Sequence, residues 1–86
     1  MLVSVIIPYF NDEKNIKNAI KSVLQQTYKK IEIVIIDDEN SPKSEKILIN
    51  LKKKFKKIKI TSTLRRAGVS VARNKGIKEA KGDFIA

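Results

Sequence analysis

Cysteine and histidine are both absent from these 86 residues. The first absence excludes a disulfide framework and a thiolate metal site. The second removes the commonest general base and the commonest metal ligand. Acid–base or metal chemistry must therefore use carboxylates, of which there are nine. No apolar run approaches the ~20 residues that a transmembrane helix needs. The opening MLVSVII is too short and too uncharged at its front for a secretory leader. The expectation is a soluble, cytoplasmic chain, with the inner face of the membrane as a second location. Its length suits one small domain with a marginal core.

What is abundant is positive charge, with 19 basic against 9 acidic side chains and a net charge of +10. Such a charge attracts nucleic acid, an anionic membrane or a phosphorylated ligand. Much of it sits at Lys52, Lys53, Lys54, Lys56, Lys57 and Lys59. One reading is a solvated helix end, where lysines suit the negative pole of the helix dipole. The other is contact with a membrane surface or a partner. The run lacks interleaved aromatics, and the chain has no helix-turn-helix or zinc pattern, so nucleic acid is not an expected partner.

Along the chain, Val3 to Ile7 is a β-branched run that Pro8 ends, which fits a strand buried on both faces. Asn11 and Asp12 are good helix caps. Ile16, Ala19, Ile20, Val23 and Leu24 then mark a helix with one apolar stripe. Ile31 to Ile36 is a second strand, stopped by Asp37 and Asp38. Ser41, Pro42 and Ser44 open another helix, with Ile47, Leu48, Leu51 and Phe55 on its buried side. Ile58 and Ile60 predict a third strand with Lys59 exposed between them, and Ser62 to Gly68 a loop. Val69, Ala72, Ile77 and Ala80 give a third helical stripe, closed by Gly82 at a C-cap. Asp83 to Ala86 opens a fourth strand. The alternation predicts an α/β fold, Rossmann-like, with a mostly parallel sheet of about four strands and three helices. Because the last strand is so short, the expectation is that residues 1–86 form a single partial domain.

In open α/β sheets, ligands bind beyond the carboxyl ends of the strands. Three polar segments fall there: Pro8 to Asp12, Asp37 to Ser41, and Arg65 to Asn74. The first offers Tyr9 and Phe10 beside Asn11; the second offers Asp37 and Asp38. The third offers Arg65, Arg66, Gly68, Arg73 and Asn74. An aromatic ring can stack on a base, and a carboxylate can accept from a base N–H or a ribose hydroxyl. Arginine and a helix N-terminus can face a diphosphate. Each residue also has a plainer reading as a cap, a strand end or a surface cation. Neither the dinucleotide nor the P-loop fingerprint is present. The residues alone point to a nucleotide or phosphate binder.

Three segments resemble glycosyltransferase family 2: VSVIIPYFN at Val3 to Asn11, SVLQQTYKKIEIVIIDDENS at Ser22 to Ser41, and AGVSVARNKGIKEAKGDFIA at Ala67 to Ala86. Their order and spacing match throughout. The resemblance implies a GT-A fold, a nucleotide-diphosphate sugar donor, most simply a UDP-sugar, and a glycan or lipid-linked acceptor. It implies a divalent metal, magnesium or manganese, for an intact enzyme. By resemblance, Pro8 and Phe10 belong to the base-contacting loop, with Phe10 at the place of the aromatic on uracil. Asp38 matches the carboxylate that recognises the base, with Asp37 beside it. Gly68, Arg73 and Asn74 match the loop and helix start that approach the donor. Phe10 stands where tyrosine is usual, and Asn40 and Pro42 replace the usual Ser and Asp. The family's Asp-X-Asp metal motif and its acceptor-activating carboxylate are expected beyond Ala86, leaving no catalytic or metal residue here. The chain alone is then expected to lack transferase activity. The alternative is a non-catalytic α/β module that binds a partner or self-associates through an exposed sheet edge.

Overall fold

Ile33, Val34, Ile35 and Ile36 have no exposed surface at all, so the strand that carries them is covered on both faces. The computed structural model describes residues 1–26, 30–64 and 67–86, with the main chain alone for Phe84. Its elements are β1 (Val3–Tyr9), α1 (Glu13–Leu24), β2 (Ile31–Asp37), α2 (Pro42–Lys54), β3 (Ile58–Ser62), α3 (Val69–Glu79) and β4 (Phe84–Ile85). The strands form one parallel sheet in the order β3-β2-β1-β4, three full strands and a two-residue fourth.

Side chains alternate across a strand, so β2 divides its isoleucines and valine between two layers. Ile33 and Ile35 join Tyr9, Ile16, Ile20, Leu48, Leu51 and Ile58, the layer under α1 and α2. Val34 and Ile36 join Ala72, with Ile6 and Ala80 packed against them, the layer under α3. Two crossovers step one way along the sheet and the third steps back past β1. With right-handed connections, that reversal is what sends α3 to the other face.

Several local expectations need correction. Pro8 does not end β1, which runs on to Tyr9 in register with Asp37. Val3 donates to Lys30 on the β2 side, whereas Ile6 donates to Ala86 on the β4 side. By alternation Pro8 faces the β4 side, above the last residue paired there, and no ladder bond needs its missing N–H. Asp12 occupies the N-cap position of α1 but makes no side-chain cap bond; its carboxylate accepts from Asn15 Nδ2 at 3.1 Å. Ser41 does cap α2, in a reciprocal box with Ser44.

The third helix departs furthest. Val69 and Ile77, expected inside, are 57% and 47% exposed, while Ala72 and Gly76 are buried. A Cβ on Gly76 would lie 2.6 Å from both Ile36 Cδ1 and Ile6 Cγ2, so α3 lies on the sheet through its smallest residues. The helix ends at Glu79 with Ala80 at the C-cap, not at Gly82. Gly82 instead passes close to β1, donating its N–H to Ser4 Oγ at 2.8 Å. Lys59 is half-buried and not the exposed residue expected: its ammonium reaches the Glu79 carbonyl at 3.0 Å, a cation on the negative end of α3.

Beneath that helix end, Ser4 donates to Glu32 Oε2 at 2.5 Å, and the Lys81 N–H donates to the same oxygen at 2.7 Å. Burial by itself pushes the Glu32 carboxyl up. The Ser4 hydroxyl, the Lys81 N–H and the charges of Lys59 and Lys81 outweigh it, and the net shift is downward. A carboxyl lowered in the fold adds stability above its unfolded pKa and loses it as pH falls through the folded value. Glu32→Gln is therefore expected to cost about 1 kcal/mol at neutral pH, a figure discounted for the partial exposure of the site. Urea unfolding of both chains should show the gap closing below about pH 4. A gap independent of pH would show that the carboxylate charge contributes nothing.

Candidate functional site at the carboxyl edge

The loops after β1, β2 and β3 all open at the same edge of the sheet. The alternation that sorts the core also separates the two carboxylates that end β2. Asp37 turns toward α2. Its Oδ1 accepts the N–H groups of Glu39 and Asn40 at 3.1 and 2.9 Å, and its Oδ2 accepts the Ser44 hydroxyl at 2.7 Å. Asp37 thus shapes the turn and fixes the start of α2.

Asp38 turns the other way. Its Oδ1 accepts the Thr63 hydroxyl and the Ala67 N–H, and its Oδ2 accepts the Gly68 N–H at 3.0 Å. Its own N–H donates to the Tyr9 carbonyl at 2.9 Å. One residue, 5% exposed, therefore joins the loops after all three strands. Oδ1 has two donors and Oδ2 has one, which leaves acceptor capacity on Oδ2.

The first loop is braced against the second. Asn11 lies at φ 47°, in the left-handed region that asparagine tolerates, and its N–H donates to Glu39 Oε1 at 2.9 Å. Glu39 Oε2 accepts from Ser41, so this carboxylate ties the β1 loop to the α2 cap. Tyr9 is not half of an exposed aromatic pair. It is 2% exposed and belongs to the α1 layer, because it is the last residue of the strand and alternation turns it inward. Burial pushes its phenol up, against a lowering hydrogen bond with the Asp12 main chain. Phe10, the next residue, is 45% exposed and lies beyond the strand.

Gly68 is the N-cap of α3 at φ 102°, ψ 161°, a conformation essentially closed to residues with a Cβ. Among the described residues, its chain neighbours aside, no atom lies within 4 Å of where its Cβ would be, and the requirement there is conformational. Arg73 and Asn74 are exposed further down α3. Arg73 lines a shallow hollow with Ile6, Ile77, Ile85 and Ala86, separate from the one that Asp37 and Asn40 line with Ser62. Arg65 and Arg66 lie outside the described residues. Among the expected site residues, Pro8, Tyr9, Asn11, Asp37, Asp38 and Gly68 are thus brought into one scaffold, with Phe10 at its surface. Arg73 and Asn74 join it only through the helix. Sequence reasoning missed Thr63 and Glu39. The available signal was a polar side chain directly after β3 at Thr63 and one two residues past β2 at Glu39.

The described residues offer no cluster of three possible ligands for a metal ion. Asp37 and Asp38 are engaged by different elements and do not converge, so the group expected for the family does not fit here.

The sequence model described as "Glycosyl transferase family 2" matches residues 4–86. The chain belongs to that family. An uncharacterized glycosyltransferase from Haemophilus influenzae is 39% identical over 84 residues, which cover 98% of this chain and 34% of the relative. S. aureus TarS 1-349 in complex with UDP superposes with a TM-score of 0.80 at 30% identity, covering 99% of this chain and 26% of that one. The mannosyltransferase PcManGT from Pyrobaculum calidifontis, in complex with GDP-Man and Mn2+, gives a TM-score of 0.84 at 21% identity, covering 96% and 25%. The chain thus spans about a third of the length of the first relative and a quarter of each of these structures. The family 2 fold is GT-A, as the sequence resemblance implied.

Gly68→Ala is expected to destabilise this family 2 chain by about 1–3 kcal/mol, read from the urea midpoint. An unchanged midpoint would show that the loop adopts another conformation at this residue.

Proposed function

We propose that this chain is the donor-holding part of a family 2 glycosyltransferase, and that its ligand is a uridine nucleotide carrying a sugar. The observation that carries the reading is the junction at Asp38. It fixes the β1 loop, the β3 loop and the N-terminus of α3 relative to one another before any ligand arrives. Such preorganisation is what a site needs in order to hold a donor for attack. Family membership and the UDP-bound relative at 30% identity support the same reading.

In this proposal the Phe10 ring stacks on the uracil, and Asp38 Oδ2 accepts a base N–H. Pro8 and Asn11 shape the base loop, and Tyr9 acts through its carbonyl. Asp37 keeps the loop after β2 in place. Gly68 at the helix N-terminus, with Arg73 and Asn74 on the helix, faces the diphosphate. The reaction of the whole protein would be sugar transfer to an acceptor hydroxyl of a glycan or a lipid-linked acceptor. The share of this chain is to bind and orient the donor. The divalent metal belongs to the proposal for a longer protein; the same-fold mannosyltransferase carries Mn2+, and no step here is routed through a metal.

Isothermal titration with uridine diphosphate tests this reading. Weak binding, unchanged by manganese, is expected; strong metal-dependent binding would contradict it. Phe10→Ala should weaken binding by about 1–3 kcal/mol, the range for a base stacked on an aromatic ring. Equal affinity in that variant would remove the stacking role. Asp38→Ala should also weaken binding, and it loosens the loops as well, so its folded fraction is measured alongside. Domain extent is part of the same proposal: residues 1–86 form part of a larger catalytic domain.

A second reading, self-association, draws on the exposed apolar side chains Val69, Val71, Ile77 and Ile85. Gel filtration distinguishes it, because a monomer that still binds uridine diphosphate disfavours it.

A further inference from the structure

The parallel sheet gives the molecule two unlike edges. The carboxyl edge carries Asp12, Glu13, Asp37, Asp38, Glu39 and Glu45, on the loops or in the first turns of α1 and α2. At the amino edge α2 ends in Lys52, Lys53 and Lys54, and Lys56 and Lys57 lead into β3. Lys30 leads into β2 directly alongside, since the register pairs Ile33 with Ile58. All six are exposed. The acidic groups at this edge are already engaged. Glu32 accepts from Ser4 and Lys81, Glu79 lies 3.8 Å from Lys59, and Asp83 accepts the Leu2 N–H. The turn between α2 and β3 is anchored from within. Phe55 packs against the core, its N–H bonds to the Leu51 carbonyl, and the Lys54 ammonium sits 5.6 Å from the centre of its ring.

We propose that this lysine edge is a docking surface for a bilayer rich in anionic headgroups. A helix dipole needs one or two cations at its end, and it does not call for six from three segments. Among the described residues the patch is built from point charges on flexible stems, and Phe55 packs against the core. That composition suits a diffuse negative surface, on which each lysine adds attraction and none reads a shape. Nucleic acid favours arginine forks and stacking rings. Among the described residues the one arginine, Arg73, lies on α3, outside this patch. Docking through the amino edge leaves the carboxyl-edge loops uncovered. The inference does not depend on which nucleotide, if any, those loops hold.

Cosedimentation with vesicles of phosphatidylglycerol and phosphatidylcholine, against phosphatidylcholine alone, is the test. Binding is expected to the anionic vesicles only, and to be lost between about 50 mM and about 500 mM salt. A chain carrying Lys52→Gln, Lys53→Gln, Lys54→Gln and Lys56→Gln should bind at least ~tenfold more weakly. The control carries Lys14→Gln, Lys17→Gln, Lys43→Gln and Lys46→Gln, with the same net charge but changes in the opposite halves of α1 and α2. It should keep most of the binding. Equal losses in the two variants would overturn the proposal, as would equal binding to neutral vesicles. Tighter binding of the unmodified chain to a duplex oligonucleotide than to anionic vesicles at the same salt would overturn it too. The unmodified chain decides two of these outcomes, so a variant that fails to fold does not protect the idea.

Discussion

Two adjacent carboxylates at the top of β2 set the geometry of everything above the sheet. A strand cannot point neighbouring side chains the same way, so Asp37 and Asp38 reach opposite layers. Asp37 fixes the start of α2 through Ser44, and Asp38 fixes the start of α3 through the Ala67 and Gly68 N–H groups. Each is nearly buried, and a buried carboxylate without donors would be costly. Their cost is offset by the Ser44 and Thr63 hydroxyls and by four main-chain N–H groups at turns and a helix start, which need acceptors in any case. The same bonds that satisfy the charges also stiffen the edge where a ligand would sit.

Much of this was legible in the residues. β-branched runs at Ile31 to Ile36, and Ser41-Pro42 before an apolar stripe, fix strand and helix through steric and capping preferences that act over a few residues. The parallel α/β arrangement follows from the alternation of those elements. Asp37 and Asp38 stood out because paired carboxylates at a strand end are unusual. Their division of labour was not legible, since it depends on which layer each residue enters.

What the residues concealed was set by the third dimension. Tyr9 and Phe10 look alike as a pair, yet one ends a strand and packs inward while the other begins a loop. In α3, Val69 and Ile77 carry the hydrophobicity, but the close approach to β1 and β2 admits only Ala72 and Gly76. Hydropathy periodicity reports how much apolar surface a face offers; it is blind to how near a helix must come. Lys59 is a similar case, a charge inside a strand whose partner is a helix end 20 residues away.

Pro8 has a consequence beyond its tolerance within β1. On the side where Ile6 bonds to Ala86, the next position along the strand offers no hydrogen to share. A strand lying along β1 on that side loses a donor at Pro8, although the Pro8 carbonyl can still accept. The missing bond falls immediately below the Tyr9 carbonyl that holds Asp38. A single absent proton thus weakens the pairing potential of β1 beside the loops that define its working edge.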